Sequence, residues 1–164
     1  MAHSILTQEL VQSLFEYKDG ELYRKVKTNR NIKIGDKAGS LRDDGYSHTM
    51  INGKLYKNHR IIFLCHHGYL PQFIDHIDGN PSNNRIENLR EATLTQNQYN
   101  SKTPYNNTSG IKGVSWHKKH EKWEVTLQIN GKSKYFGIYE NIELAELVAI
   151  EARNKYHGNF ARHQ

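Results

Sequence analysis

The chain of 164 residues contains a single cysteine, Cys65, and that scarcity closes off two chemistries at once. One thiol can form neither an intrachain disulfide nor a multi-cysteine zinc site. Cys65 falls in the apolar run Ile61-Ile62-Phe63-Leu64-Cys65 and is expected in the core. No apolar stretch approaches the ~20 residues needed to span a bilayer. Residues 1–14 lack both the basic start and the apolar segment of a signal peptide. The protein is therefore expected inside the cell, with no membrane partner. Hydrophobic residues make up only 36% of the chain, and the mean hydropathy is -0.84. Such a chain suits one ordinary domain or two small ones better than a single large core.

Positive charge is abundant. A formal net charge of +6 and a pI near 9.3 point to a polyanionic partner, because each lysine or arginine set against a phosphate releases condensed counterions. Charge alone does not single out that partner.

Leu10, Val11, Leu14 and Phe15 give a short helical pattern after Thr7, and Asp19-Gly20 turns the chain into a strand over 21–25. Residues 45–51 alternate, Asn52-Gly53 is the pair a two-residue hairpin turn prefers, and residues 54–56 return. Asn58 is placed to cap a helix running to His67, Gly68 to end it, and Pro71 to prevent its resumption. A short strand, Phe73-Ile74-Asp75-His76-Ile77, then runs into Asp78-Gly79 and a polar loop, Asn80 to Asn84. Thr95 and Gln98 have capping-box spacing, which would start a helix carrying Asn97 on its first turn. Residues 101–110 are polar, contain a proline and lack periodicity, so they read as a linker between residues 1–100 and 111–164.

Phosphodiester hydrolysis needs a base for water, a cation for the developing negative charge, and fixed geometry between them. Neutral imidazole accepts a proton at physiological pH, which suits His76 to the first task. Asp75 offers an oxygen ligand of the kind Mg²⁺ or Mn²⁺ prefers, and Asn97 offers a second, neutral one. Adjacent strand side chains point to opposite faces, so a bend at Asp78-Gly79 is needed for both residues to serve one site. The Asn88 side-chain carbonyl is placed to accept the imidazole Nδ1 proton and aim the other nitrogen at water. Arg85 and Arg90 are candidates for a phosphate clamp. Asparagine-rich loops also commonly bond their own backbone, and that plainer reading applies to each residue taken singly. His66 and His67 suit a helix end, and His3 and His163 read as flexible tails.

Taken together, Asp75-His76-Ile77-Asp78-Gly79-Asn80, Asn83-Asn84-Arg85-Ile86-Glu87-Asn88-Leu89-Arg90, Thr93 and Asn97-Gln98-Tyr99-Asn100 resemble the HNH motif of phage and homing endonucleases. The resemblance implies a ββα-metal (His-Me) finger holding one divalent ion. It implies His76 as general base, Asn88 as its orienter, and Asp75 with Asn97 as metal ligands. Asn100, further along the same helix, competes with Asn97, which is favoured. Asparagine at the third position of the name motif leaves the ligand role intact and makes zinc a poorer fit than Mg²⁺ or Mn²⁺. Segments upstream, including Leu22-Tyr23-Arg24-Lys25 and His59-Arg60, resemble the supporting N-terminal part of phage HNH proteins.

The C-terminal part reads as three strands and a helix. Val114 to Trp116 makes the first strand, and Trp123, Val125, Leu127 and Ile129 mark one face of the second. Asn130-Gly131 turns into Lys132 to Tyr139, and a helix over Ile142 to His157 follows, with Asn141 as cap and Gly158 as stop. Glu124, Thr126 and Gln128 lie opposite the apolar face, and Lys112, Lys118, Lys119, Lys122, Lys132 and Lys134 crowd strands and turns. A polar, basic sheet face suits a DNA groove, with lysines on phosphates and His117, Thr126, Gln128 and Tyr135 on base edges. Gly113-Val114, Trp123, Ile129, Gly131-Lys132, Phe136-Gly137, Ala145, Ala149 and Tyr156-His157-Gly158 resemble the Apetala-type domain of plant ethylene-response factors, whose sheet enters the major groove. Ser115, His117 and Gln128 stand where that family uses arginines, so its target sequence does not transfer.

The sequence thus predicts an α+β protein: a ββα-metal finger with N-terminal hairpin elements, joined to a small three-stranded antiparallel sheet plus one helix. Its expected function is that of a phage-encoded, homing-type, divalent-metal-dependent endonuclease acting on double-stranded DNA in a bacterial cytoplasm, with no small-molecule cofactor. One finger nicks; cutting both strands needs a homodimer or two successive events. A non-catalytic DNA-binding regulator and a structure-selective nuclease for branched DNA or RNA are the alternatives.

Overall fold

The structure, a computed structural model, describes residues 6–163. His3 lies outside them. The described residues form an α+β arrangement of small antiparallel sheets and short helices, divided into two compact units, residues 1–91 and 92–164.

In the first unit, α1 (Gln8–Leu14) starts at Thr7, whose side chain accepts from the Leu10 N–H. It ends where β1 (Phe15–Lys18) begins, and β2 (Glu21–Arg24) returns through the expected Asp19-Gly20 turn. β3 (Lys37–Ala38) pairs with β2. β4 (Ser40–Leu41), β5 (Ser47–Ile51) and β6 (Lys54–Lys57) form a second sheet, and Asn52-Gly53 turns between β5 and β6 with both residues at positive φ. α2 (Asn58–His67) buries Ile61, Ile62, Phe63 and Leu64, and together with Val11, Phe15 and Leu22 they make one core. Cys65 is only half-buried at its margin. Gly68, in the left-handed region, ends α2 as expected.

Asn58 does not cap that helix, because Lys57 holds the N-cap position. Its fully buried amide instead accepts from Thr49 Oγ1 at 2.7 Å and donates to the Ala38 carbonyl at 2.9 Å, tying α2 to both small sheets. β7 (Phe73–His76) and β8 (Leu89–Ala92) then form a two-stranded ribbon, joined by a polar loop and a 3₁₀ turn, Ile86–Asn88.

In the second unit, α3 (Leu94–Tyr99) opens on a capping box formed by Thr93 and Gln96, two residues earlier than the Thr95/Gln98 spacing suggests. β9 (Val114–His117), β10 (Lys122–Ile129) and β11 (Lys132–Tyr139) form the expected sheet, in the order β11-β10-β9. α4 (Ile142–His157) has the expected bounds and is capped by Asn141. Ala145 and Ala149 on α4 are small enough for the helix to pack close to Val114 and Val125.

The segment expected as a linker, 101–110, lies inside this second unit, and its end is structured. Asn107 Nδ2 donates to the Ile111 carbonyl, and Ser109 Oγ donates to the Val114 carbonyl at 2.7 Å. His163 is likewise no free tail: its Nδ1 accepts from Arg153 Nε at 3.4 Å. No helix among the described residues is long and apolar enough to cross a membrane.

Gly20 links this fold to the loop that follows β7. Its φ is +88°, and a Cβ there would meet the Arg85 backbone nitrogen at 2.9 Å and the Asn84 carbonyl carbon at 3.1 Å. Gly20→Ala is expected to cost about 2 kcal/mol or more, from left-handed strain plus backbone displacement. A lowered urea midpoint checks this; an unchanged midpoint would contradict the tight approach.

Candidate active site

β7 is short, yet its last three residues are all buried, so both faces of the strand are covered. Asp75 and His76 are 4% and 6% exposed, an unusual position for two ionisable groups. They find different partners. Asp75 Oδ2 accepts from Arg90 Nε at 2.8 Å and pairs with Nη2 at 2.7 Å, across the ribbon from β8. His76 places Nε2 3.0 Å from Asn84 Oδ1, and both side chains are buried. An amide oxygen only accepts, so this bond calls for a proton on Nε2.

Around that imidazole stand two further rings. His59 of α2 meets it nearly edge-on, with centroids 5.0 Å apart, and Tyr46 lies 5.9 Å away. Burial drives the His59 imidazole down to about 3, helped by the charges of His76, Lys57, Arg60 and His48, so His59 is a neutral wall rather than a second base. Burial also raises the Tyr46 hydroxyl, reinforced by Asp44 and Asp75.

The loop from Ile77 to Asn88 is held by its own asparagines. The Ile77 N–H donates to the Asn88 carbonyl at 2.9 Å. Asp78 Oδ1 accepts from the Asn80 N–H and from Asn88 Nδ2, while Oδ2 accepts from Asn83 Nδ2 at 2.7 Å. Burial pushes the Asp78 carboxyl up, but these donors and the His76 charge outweigh it, leaving it below the usual carboxylate range. Asn88 Oδ1 accepts from the Asp78 N–H at 3.0 Å, and Nδ2 also donates to the Asn83 carbonyl.

Three expectations are corrected here. The bond on the imidazole comes from Asn84, not Asn88, because the Asn88 amide is used to close the loop. It lands on Nε2 rather than on Nδ1. Arg90 is engaged by Asp75, since a buried carboxylate requires a counter-charge, and it is not an uncommitted phosphate clamp. Arg85 is exposed. Asn97 lies on α3 in the second unit, half-buried, and Asn100 follows as that helix's C-cap. Asn84 was hidden within an asparagine-rich loop, where sequence gives no sign of which amide turns inward.

The strand register sorts the candidates in the second unit. Lys122↔His117, Glu124↔Ser115, Thr126↔Tyr135 and Gln128↔Ser133 are cross-strand pairs on the sheet face opposite Val125. The two-residue Asn130-Gly131 turn pairs Lys132 and Lys134 with Ile129 and Leu127 on the helix side, and a bulge between Val125 and Thr126 shifts β11 by one residue beyond them. Lys134 Nζ accordingly bonds the Tyr156 hydroxyl of α4 at 2.8 Å. On the outer face, Glu124 pairs with His117 and accepts from Thr126 Oγ1, and Lys122 pairs with Glu140. Lys118 and Lys119 are exposed at the β9–β10 turn, and Gln128 and Tyr135 are exposed on the strands. Lys112 stands apart: burial, with the charges of Arg153 and Arg162, drives its amine down to about 8, and its Nζ donates to the Tyr99 and Ser101 carbonyls.

Two measurements follow. Arg90→Ala, which strands a buried carboxylate, is expected to destabilise the protein by about 3 kcal/mol in urea titration; a loss within experimental error would deny the pair its role. Because His59 titrates at about 3 when folded against 6.5 ordinarily, the unfolded chain binds the extra proton between those values. Stability is therefore full above pH 6.5 and falls toward pH 3. Replacing His59 with glutamine is expected to flatten that part of the melting-temperature profile; an unaltered slope would assign it to other groups.

A family profile described as HNH endonuclease matches residues 56–99. Protein 3.8 of Escherichia phage T7 is 42% identical over 113 residues, covering 66% of this chain and 91% of that protein. An uncharacterised HNH endonuclease of Acanthamoeba polyphaga mimivirus is 36% identical over 77 residues, covering 46% of this chain and 41% of its own length. No solved structure matches. By these matches the chain belongs to the family of the T7 protein, and its residues 56–99 form an HNH endonuclease domain.

Proposed function

We propose that the protein is a divalent-metal-dependent, homing-type DNA endonuclease that hydrolyses a phosphodiester with His76 as general base. The observation carrying this reading is the buried imidazole at the end of β7 whose Nε2 meets the Asn84 amide oxygen at 3.0 Å. Nδ1 takes a proton from water, Asn84 keeps the ring in the required tautomer, and His59 with Tyr46 limits its rotation. Asn88 acts one step back, by closing the loop on which Asn84 stands.

Among the described residues, no three His, Cys, Asp or Glu side chains gather as a metal cage. The donors in the motif are instead a carboxylate and an amide, Asp75 and Asn97, which fit Mg²⁺ or Mn²⁺ with further positions for water and phosphate. A bound ion of this kind supplies charge stabilisation at the phosphoryl and leaving oxygens. Arg90 holds Oδ2 of Asp75 and fixes the orientation of the carboxylate. The expected products are a 5′-phosphate and a 3′-hydroxyl.

The second unit is the reading's DNA-holding part. Its outer sheet face presents Thr126, Gln128, Tyr135 and His117, with Lys118 and Lys119 at the adjoining turn for phosphates. That face resembles a groove-binding sheet in its polarity, although Glu124 lowers its positive character.

Plasmid cleavage with Mg²⁺, with chelator, and with His76→Ala tests the proposal. Chelation is expected to abolish cutting, and His76→Ala to slow it by about 10²- to 10⁴-fold. Undiminished metal-dependent cutting by that variant would remove His76 as the base.

A further inference from the structure

α3 has six residues, too few to persist as a helix unless other elements hold it. Its first turn is closed by the capping box, but its last turn is held by residues far along the chain. The Tyr99 ring stacks on His157 at the end of α4, with centroids 3.7 Å apart and planes within 8°. The Tyr99 hydroxyl accepts from the Asn130 N–H at 2.8 Å and donates to Asn130 Oδ1 at 3.3 Å, at the β10–β11 turn. His157 Nε2 in turn lies 2.9 Å from the Gln128 carbonyl on β10. Lys112 Nζ donates to the Tyr99 and Ser101 carbonyls, and Arg162 Nη1 approaches the Asn100 carbonyl at 3.4 Å, so two cations meet the negative end of the helix.

The geometry points to Tyr99, His157 and Lys112 as positioning residues that fix α3, and with it the Asn97 amide, to the β10–β11 hairpin. Side chains two residues apart on a helix diverge by about 200°. Anchoring Tyr99 toward His157 therefore turns Asn97 away from the anchor and sets its direction. The hairpin that grips Tyr99 through Asn130, and His157 through Gln128, is also the element whose outer face is assigned to DNA. A displacement of that hairpin is transmitted to α3 directly through the two Tyr99–Asn130 hydrogen bonds and, by way of His157, through the stack on Tyr99. This inference rests on the reading of Asn97 as a metal ligand.

The test uses the full chain and Mn²⁺ as probe. Mn²⁺ binding is measured by electron paramagnetic resonance, alongside cleavage kcat and KM, metal-free duplex affinity and thermal melting, for Tyr99→Leu, Tyr99→Phe, His157→Phe, Lys112→Met and Asn97→Ala. His157→Phe keeps a stacking ring, so it and Lys112→Met serve should Tyr99→Leu fail to fold.

In the folded variants, Tyr99→Leu and Lys112→Met are expected to weaken Mn²⁺ binding by about tenfold. They should also lower kcat at fixed Mn²⁺ and recover with added Mn²⁺, and Tyr99→Leu should leave KM and duplex affinity near wild type. Tyr99→Phe, which keeps the stack, should retain most of the affinity. Clamp variants that melt earlier yet bind Mn²⁺ like the wild type, while Asn97→Ala binds it weakly, would overturn the inference alone. Unchanged Mn²⁺ binding by Asn97→Ala would overturn the ligand reading and this inference together.

Discussion

The Asp75 carboxylate is 4% exposed, and Arg90 reaches it from the neighbouring strand with two nitrogens. Desolvating a carboxylate without such a partner costs several kcal/mol, more than most single interactions in a small domain contribute. The pairing of β7 with β8 therefore does more than add a ribbon to the fold. It brings the guanidinium to the carboxylate, fixes where the connecting loop begins and ends, and leaves His76, the next residue along, facing the loop's interior. Both faces of this strand are committed to polar work, which is why Ile74 is the one buried apolar residue among its last three.

The loop satisfies the plain and the functional readings of its asparagines together. Asn80, Asn83 and Asn88 bond Asp78 or nearby backbone, as loop asparagines commonly do. The result is a closed hydrogen-bonded turn from which Asn84 reaches the imidazole. Rigidity is what this arrangement supplies. In the proposed mechanism a general base must be in the right tautomer and at the right angle before water arrives, and a buried bond to Nε2 inside a self-bonded loop favours both. The close approach of Gly20 to the Asn84–Arg85 backbone fixes the loop from outside.

Much of this could be read from the sequence, for identifiable reasons. The bounds of α4, the Asn52-Gly53 and Asn130-Gly131 turns and the Asp75-His76 centre are local signals: a periodicity, a turn dipeptide, a motif. Apart from the capping box, which is displaced by two residues, the misreadings concern partners that only the folded chain brings together. Asn58 looks like a cap, but its partners, Thr49 and Ala38, are nine and twenty residues earlier. Asn88 looks like the orienter because it stands in the motif, while the loop's folding gives that bond to Asn84. Lys132 and Lys134 are counted with the basic residues of a DNA face because composition alone does not say which face a strand residue takes, and the hairpin register pairs them with Ile129 and Leu127 on the helix side.

The domain division carries the same lesson further. Sequence continuity groups Tyr99 with the nuclease motif and places a linker after it. Physically, a six-residue helix takes its place from whatever it packs on, because nucleating so short a helix is unfavourable by itself. An aromatic stack of the Tyr99–His157 kind contributes about 0.5–1.5 kcal/mol beyond the area it buries. The hydrogen bonds at Asn130 and Lys112 add about 1 kcal/mol each. Together these exceed what the intrinsic propensity of Leu94–Tyr99 supplies, so the second unit, not the preceding strand, determines where the helix lies. A motif bounded by chain order can thus depend for its last residue on side chains nearly sixty residues beyond it.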